Sequence, residues 1–286
     1  VMHRSPRRLA SFSWRAFGIA QGMCQPPSDS HLTNWDQNLT GQVEFASSPY
    51  PFVAGVRPTS RRLVDCRIDT FAGGFVTSGT VIEGAEVEFA EGWRGRDLAT
   101  HQLVFAALPD ERTVVGLELC RAGAARGALR AVLGLHLSVA NDLYNDFRRT
   151  LRTSGGRKVL RSPARGDAIV PLGSRWTCVD GRLGVLGLYG ADTLVVRRAA
   201  RRRRLGNGYR SLYLEELGWG GGVGPRWVDP GETLLDVGWA VLSGADARQT
   251  RAAAAASVPV PMPAECMGLR GVLVAGADGR TYLVLA

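Results

Sequence analysis

The sequence predicts a mainly β protein: a large antiparallel β-sandwich or supersandwich carrying one or two short helices. Three observations support this. Turn signals recur about every ten residues between Arg61 and Val196, the rhythm of antiparallel sandwiches and barrels. The segments between the turns are rich in β-branched and apolar residues, which suit a pleated, half-buried surface. Residues 245–256, rich in alanine and arginine, form the one clear helix candidate.

In chain order, residues 9–17 and 38–45 read as strands, and the three prolines in 47–58 mark a loop. Residues 61–70 run into a Gly73-Gly74 turn, and 75–83 and 85–90 read as two further strands. Glu91-Gly92-Trp93 opens a polar turn before a strand at 99–108. Pro109-Asp110-Glu111 then turns the chain into a β-branched strand at 113–120. A short helix is expected at 122–130, weakened by Gly123 and Gly127. Residues 131–139 alternate as a strand, the doubled Asn-Asp of 141–147 is a loop, and 148–152 precedes a Ser154-Gly155-Gly156 turn. Strands resume at 167–171, 175–179, 183–189 and 193–197, with Asp180-Gly181 a two-residue hairpin signal. The arginines of 197–204 are bunched between a strand and Gly206-Asn207-Gly208. A solvated hairpin tip explains them better than nucleic-acid binding, which wants aromatics interleaved with the cations. Strands at 209–217 and 232–242 flank a Gly-rich loop. After the helix, Pro259, Pro261 and Pro263 suggest an extended linker before a last hairpin at 269–275 and 280–285.

Composition sets bounds on partners and compartment. The 286 residues are 45% hydrophobic and 21% charged, an ordinary globular balance. The net charge of +9 comes almost wholly from arginine, since Lys158 is the single lysine. With alanine and glycine also abundant, this skew fits nucleotide composition bias as well as selection for charge, so an anionic partner is permitted and not required. Cys24, Cys66, Cys120, Cys178 and Cys266 stand singly, without a Cys-x-x-Cys pair. This spacing fits reduced thiols in a cytoplasmic protein, with no zinc site and no other metal or cofactor. No apolar run is long enough for a membrane helix, and no nucleotide-binding loop is present. A chain that begins with valine ahead of methionine reads as a piece of a longer product.

The candidate functional stretch lies at 11–39. It gathers Trp14, Arg15, His31, Trp35, Asp36 and Asn38 around a Pro26-Pro27 constraint. Aromatic rings stack on sugar faces while fixed amides and charges satisfy hydroxyls, so these six are the expected substrate-binding residues. The same residues also fit a structural role, with both tryptophans as core anchors. Of the four histidines, His101 and His136 lie in apolar strand-like runs and read as satisfied sheet residues, leaving His31 as the candidate for proton transfer. There is no Gly-x-Ser-x-Gly elbow. Glu215 and Glu216 are adjacent and so face opposite ways. Glu83, Glu86, Glu88 and Glu91 read as a solvated strand face. Asn141, Asp142, Asn145 and Asp146 lack the spacing of a calcium loop.

The antiparallel array, the Trp14-Arg15 pair near its first strand and the hairpin Trp-x-x-Val-Asp-Gly-Arg-Leu-Gly-Val at 176–185 resemble the large β-sandwich domain of bacterial carbohydrate-active enzymes. The families concerned are polysaccharide lyases of the heparinase II/III and chondroitin/hyaluronate type, with glycoside hydrolases of like architecture. The resemblance implies that 1–286 is one sandwich domain, the C-terminal part of a longer protein, packed on a helical toroid and lining a saccharide cleft. The partners it implies are an oligo- or polysaccharide and that helical domain, with neither nucleic acid nor membrane. The arginine excess would suit an acidic glycan. None of the catalytic Tyr, His, Asn and Arg of those families matches a position here, so the catalytic residues stay open. Two other readings stand beside it: a self-contained mutarotase-like sugar enzyme using His31 or His136 with an acidic residue, and a non-catalytic structural or interaction module.

Overall fold

In the computed structural model the described residues are 1–16, 19–29, 31–33, 40–45, 60–89, 92–124, 126–166, 168–190, 192–198, 203–205, 210–220, 226–260 and 271–285. The chain runs β1 (Met2–Arg4), β2 (Leu9–Ala16), β3 (Ile19–Gln25), β4 (Gln42–Phe45), β5 (Ser60–Phe71), β6 (Gly74–Phe89), β7 (Gly92–Ala107) and β8 (Thr113–Ala122). It continues through β9 (Gly127–Asn141), β10 (Arg148–Thr153), β11 (Gly156–Arg161), β12 (Ala168–Pro171), β13 (Trp176–Val179), β14 (Leu183–Tyr189) and β15 (Leu194–Arg198). The last part holds β16 (Arg203–Leu205), β17 (Arg210–Gly220), β18 (Arg226–Val228), β19 (Thr233–Ser243), the helix α1 (Ala247–Ala256), β20 (Val258–Val260), β21 (Gly271–Ala275) and β22 (Thr281–Val284). The fold is mainly β and its sheets are antiparallel, as the turn rhythm predicts.

Two large sheets make the sandwich. One has nine strands in the order β11-β10-β13-β14-β19-β8-β7-β6-β5. The other has seven, with β12-β15-β17-β9-β18 as its spine, β4 on β9 and β16 on β17. Strand alternation builds the core between them. Leu135, Leu137, Leu217 and Trp219 of the smaller sheet meet Phe105, Val185, Trp239 and Val241 of the larger, and Phe12, Trp14 and Cys24 of the β2–β3 hairpin join the same cluster. The next residues along the larger sheet, such as Ala240, Leu242 and Leu186, face the other way. They are covered by Ala253 and Ala254 of α1 and by Val272 and Val274 of β21. The helix begins where a capping box permits. The Asp246 carboxylate accepts from the Gln249 N–H, and the Gln249 side chain accepts from the Asp246 N–H.

The turn chemistry explains several hairpins. Asp180 (φ 49°) and Gly181 (φ 71°) both take positive φ in a turn closed by the Arg182 N–H on the Val179 carbonyl at 3.0 Å, and Val179 pairs with Leu183, so the loop is one residue longer than the two-residue turn expected. Gly116 leaves no room for a Cβ against the Trp239 ring, so this glycine sets how closely the indole lies on β8.

Four expectations are corrected. No helix forms at 122–130, because β8 runs to Ala122 and β9 starts at Gly127. Gly123 instead donates to the Leu98 carbonyl at 2.8 Å and carries the chain from one sheet to the other. Residues 75–90 are not two strands. β6 is continuous through a register shift at Glu83/Gly84, a bulge that bends the strand without ending it. β7 accordingly starts at Gly92, well before residue 99. Pro259 lies in β20, which pairs with β21, so this proline belongs to a sheet, while Pro261 and Pro263 lie outside the described residues. Finally, β3 and β11 are strands beyond those the turn signals predict.

Candidate functional site

β17 lies between β15 and β9, and its register settles which side chains share a face. Val196, Leu217 and Leu137 are cross-strand neighbours pointing into the inter-sheet core. The adjacent row, Arg197–Glu216–Ser138, therefore points away from the nine-stranded sheet. It is nonetheless buried: Glu216 and Ser138 are each 1% exposed and Arg197 4%. Arg197 Nη1 donates to Glu216 Oε2 at 3.3 Å. Burial pulls the Arg197 guanidinium below its usual pKa, and the Glu216 carboxylate opposes that pull.

One step along, β9 departs from regular geometry. The pairing shifts between Leu217 and Trp219, while Leu135 and His136 take φ of 69° and 39°. Non-glycine residues avoid this left-handed region, and such strain persists where the surroundings impose it. The irregularity presents His136 to Glu216, with Nε2 2.8 Å from Oε1. On the other side the Gln42 amide nitrogen lies 2.9 Å from Nδ1. An amide N–H donating to Nδ1 leaves the ring hydrogen on Nε2, which is close to the carboxylate but is not aligned for a hydrogen bond to it. Gln42, His136, Glu216 and Arg197 thus form one chain of polar contacts on the outer face of the smaller sheet.

A second histidine centre lies on the larger sheet. His101 Nε2 is 2.6 Å from Glu83 Oε2, and Nδ1 is 2.6 Å from Glu118 Oε1, with all three side chains 0–1% exposed. Cys120 Sγ sits 3.6 Å from the ring, its pKa pushed up by burial, so this thiol is a poor nucleophile. Glu118 Oε2 also accepts the Gly41 N–H at 2.6 Å. Gly41 and Gln42 are consecutive, so the start of β4 touches both centres. Among the described residues, no group of three His, Cys, Asp or Glu side chains is placed to hold a metal ion.

Of the six residues expected to bind substrate, Trp14, Arg15 and His31 are described. Trp14 is 6% exposed; its ring packs edge-on against Phe12 at 4.8 Å, and its Nε1 donates to Thr77 Oγ1 at 2.7 Å. That is a core position. Arg15 is exposed on the same strand. His31 is half-buried and lies against Tyr144, ring centroids 4.3 Å apart, and its carbonyl accepts from Arg149 Nη2. Tyr144 itself is 73% exposed. Trp35, Asp36 and Asn38 lie outside the described residues. In sequence they fall between Thr33, bridged to Val139, and Gln42, paired with Leu133. Both anchors are on β9, the strand that carries His136.

Other acidic clusters resolve plainly. Glu83 is no solvated strand residue but a buried partner of His101. In the Asn-Asp loop, the Asp142 carboxylate accepts from the Tyr144 N–H and Asn145 Oδ1 accepts from the Asp142 N–H, a capping arrangement around the short turn Leu143–Asn145. Glu215 points opposite to Glu216, to Ser162 and Arg198. Sequence reasoning missed Glu216, Arg197, Gln42 and Tyr144. A signal for Glu216 and His136 was present, because charged residues are embedded in apolar strand runs at Leu135-His136-Leu137 and Leu214-Glu215-Glu216-Leu217.

No family model matches the chain, and no curated protein matches it in sequence. Solved structures overlay on it loosely. The galactosidase domain of the α-galactosidase–sucrose kinase AgaSK has a TM-score of 0.48 and 11% identity, over 86% of this chain and 40% of that one. The GH36 α-galactosidase AgaA from Geobacillus stearothermophilus has a TM-score of 0.48 and 9% identity, over 87% and 41%. The candidate mutarotase YeaD from Salmonella typhimurium has a TM-score of 0.45 and 12% identity, over 85% and 90%. The chain thus spans about two-fifths of the two α-galactosidase chains.

Proposed function

We propose that the chain acts on a carbohydrate by general acid–base chemistry, with His136 and Glu216 as the proton-transferring pair. The observation that carries this reading is the Arg197–Glu216–His136–Gln42 chain on the sheet face turned away from the sandwich core. Core packing does not need these groups there, and the strained His136 backbone holds the ring against the carboxylate. A carboxylate and an imidazole in contact suit a reaction that removes a proton from one oxygen and delivers one to another. Interconversion of sugar anomers is such a reaction. A base takes the anomeric hydroxyl proton, an acid protonates the ring oxygen, the ring C–O bond breaks, and reclosure reverses both transfers. Arg197 would hold the carboxylate in place and Gln42 would fix the ring tautomer. His136 is fully buried, so the reading requires that a sugar gain access to it from the outer face of the smaller sheet.

The test is polarimetry on freshly dissolved anomers of neutral and acidic aldoses. The parent should speed equilibration. Glu216→Gln and His136→Asn, checked for folding by circular dichroism, should each slow it by about 10²–10⁴-fold. No acceleration by the folded parent for any sugar in the panel overturns the reading.

A second reading is favoured by the exposed Tyr144 ring on His31. Here the sandwich is one domain of a longer polysaccharide lyase or glycoside hydrolase, and it lines a cleft for an acidic glycan. His31 and Tyr144 would lie at the saccharide surface with Arg15, Trp35, Asp36 and Asn38.

A further inference from the structure

β5 is the last strand of the nine-stranded sheet, and among the described residues no strand lies beyond it. It is twelve residues long, and Ile68 and Phe71 on it are 45% and 42% exposed. A long edge with exposed apolar residues is a template for pairing, and proteins that stay monomeric usually interrupt such an edge. β5 carries one interruption, the register shift between Leu63 and Asp65. Asp65 to Phe71 is regular.

The charges within that regular stretch are self-complementary. Arg67 Nε lies 2.7 Å from Asp69 Oδ2, and the two side chains are 78% and 50% exposed. When the stretch is laid antiparallel on a second copy of itself with Ile68 on the two-fold axis, Arg67 of each copy faces Asp69 of the other. Ile68 then faces Ile68, and Cys66 faces Thr70. Moving the axis to Arg67 sets Arg67 against Arg67 and Asp65 against Asp69. Moving it to Asp69 sets Asp69 against itself. Like charges directly opposite destabilise a strand pair, and opposite charges stabilise it. An axis on Cys66 avoids like charges but runs the pairing through the irregularity at Val64.

We infer that β5 is a homodimer interface: two copies join edge to edge about Ile68, making one continuous sheet across both molecules. The arrangement is isologous and closes at two. It involves neither histidine centre, so it stands independently of the proposed activity.

Sedimentation of the whole chain across a concentration series tests it, under reducing conditions. The parent should show a monomer–dimer equilibrium. Arg67→Asp should weaken the dimer at least about tenfold. The double variant Arg67→Asp with Asp69→Arg restores every cross-copy pair, so it should dimerise like the parent. In a Cys66→Ser background, Ile68→Cys should give a disulfide-linked dimer on treatment with diamide, which takes the two thiol hydrogens. A parent that stays monomeric at its highest soluble concentration overturns the proposal. So does a dimer indifferent to Arg67→Asp, a double variant that does not recover, or failure of Ile68→Cys to cross-link.

Discussion

The two buried histidines differ in the charge around them. His101 lies between two carboxylates, Glu83 and Glu118, each 2.6 Å from a ring nitrogen. Both sides of its ring are used by the protein itself, and it sits among the residues of the inter-sheet interior. His136 has one carboxylate and one amide, and its carboxylate is matched by Arg197. It lies on the opposite face of the other sheet, in strained backbone. The contrast separates two reasons for burying an ionisable ring. A ring closed off on both nitrogens in the middle of a core serves to fix the packing of three strands. A ring on the outer face of its sheet, in strained backbone beside an ion pair, does not serve the inter-sheet packing, and it is the one the proposed activity would use.

The largest expected effect breaks the first of these centres. Glu118→Ala removes one partner from a fully buried trio and leaves His101 and the Gly41 N–H unsatisfied. Breaking a buried charged cluster in this way costs about 3–5 kcal/mol. Replacing all three members together (Glu83→Leu, His101→Leu and Glu118→Leu) removes the unpaired groups and should recover much of the loss. Urea denaturation measures both. A cost below about 1 kcal/mol for Glu118→Ala would show that water reaches the centre and that it is not closed.

The two regions should also respond differently to alkali, an effect of intermediate size. The interior side carries buried thiols. Cys24 is pushed by burial from 9.0 up to about 12, and Cys120, beside His101, is raised for the same reason. Below pH 9 these thiols are protonated in both the native and the unfolded chain. Above it the unfolded thiols release protons while native Cys24 holds its own until about pH 12. The unfolded state therefore gains, and stability falls by about 1.4 kcal/mol per pH unit for each such thiol. The outer group of Gln42, His136, Glu216 and Arg197 contains no thiol. Thermal melts from neutral to alkaline pH should fall, and Cys24→Ala should flatten the slope. Equal slopes in parent and variant would mean that Cys24 titrates freely.

The strands were legible because turn chemistry is local. Asp180-Gly181, Gly73-Gly74 and Ser154-Gly155-Gly156 each announce a reversal through residues that accept positive φ or tight turns. Continuity through a bulge is not local. Nothing near Glu83-Gly84 says that pairing with β7 resumes beyond it, so one strand read as two. The 122–130 segment failed for a related reason. Its helix-like composition is overruled by pairing with strands distant in sequence. The histidine centres were illegible because each joins residues from three or four strands, and only the register reveals that Glu83, His101 and Glu118 meet. Trp14 had two readings, a saccharide surface and a core anchor, and the alternation of β2 with the bond to Thr77 places the ring inside.

The smallest expected effect on stability concerns Tyr144, and it bears on whether anything outside the outer centre meets a sugar. The ring is 73% exposed on a short turn whose backbone is held by Asp142 and Asn145, so the turn does not depend on the phenol. Tyr144→Ala should leave unfolding within about 0.5 kcal/mol of the parent. If the ring is a stacking platform, the same change should weaken saccharide binding by about fivefold, the equivalent of about 1 kcal/mol. Titration calorimetry with neutral and acidic oligosaccharides, run on parent and variant, reads the difference. A parent that binds a glycan equally well without the ring would remove Tyr144 and His31 from the saccharide surface, leaving the contrast between the two histidine centres to rest on His136 alone.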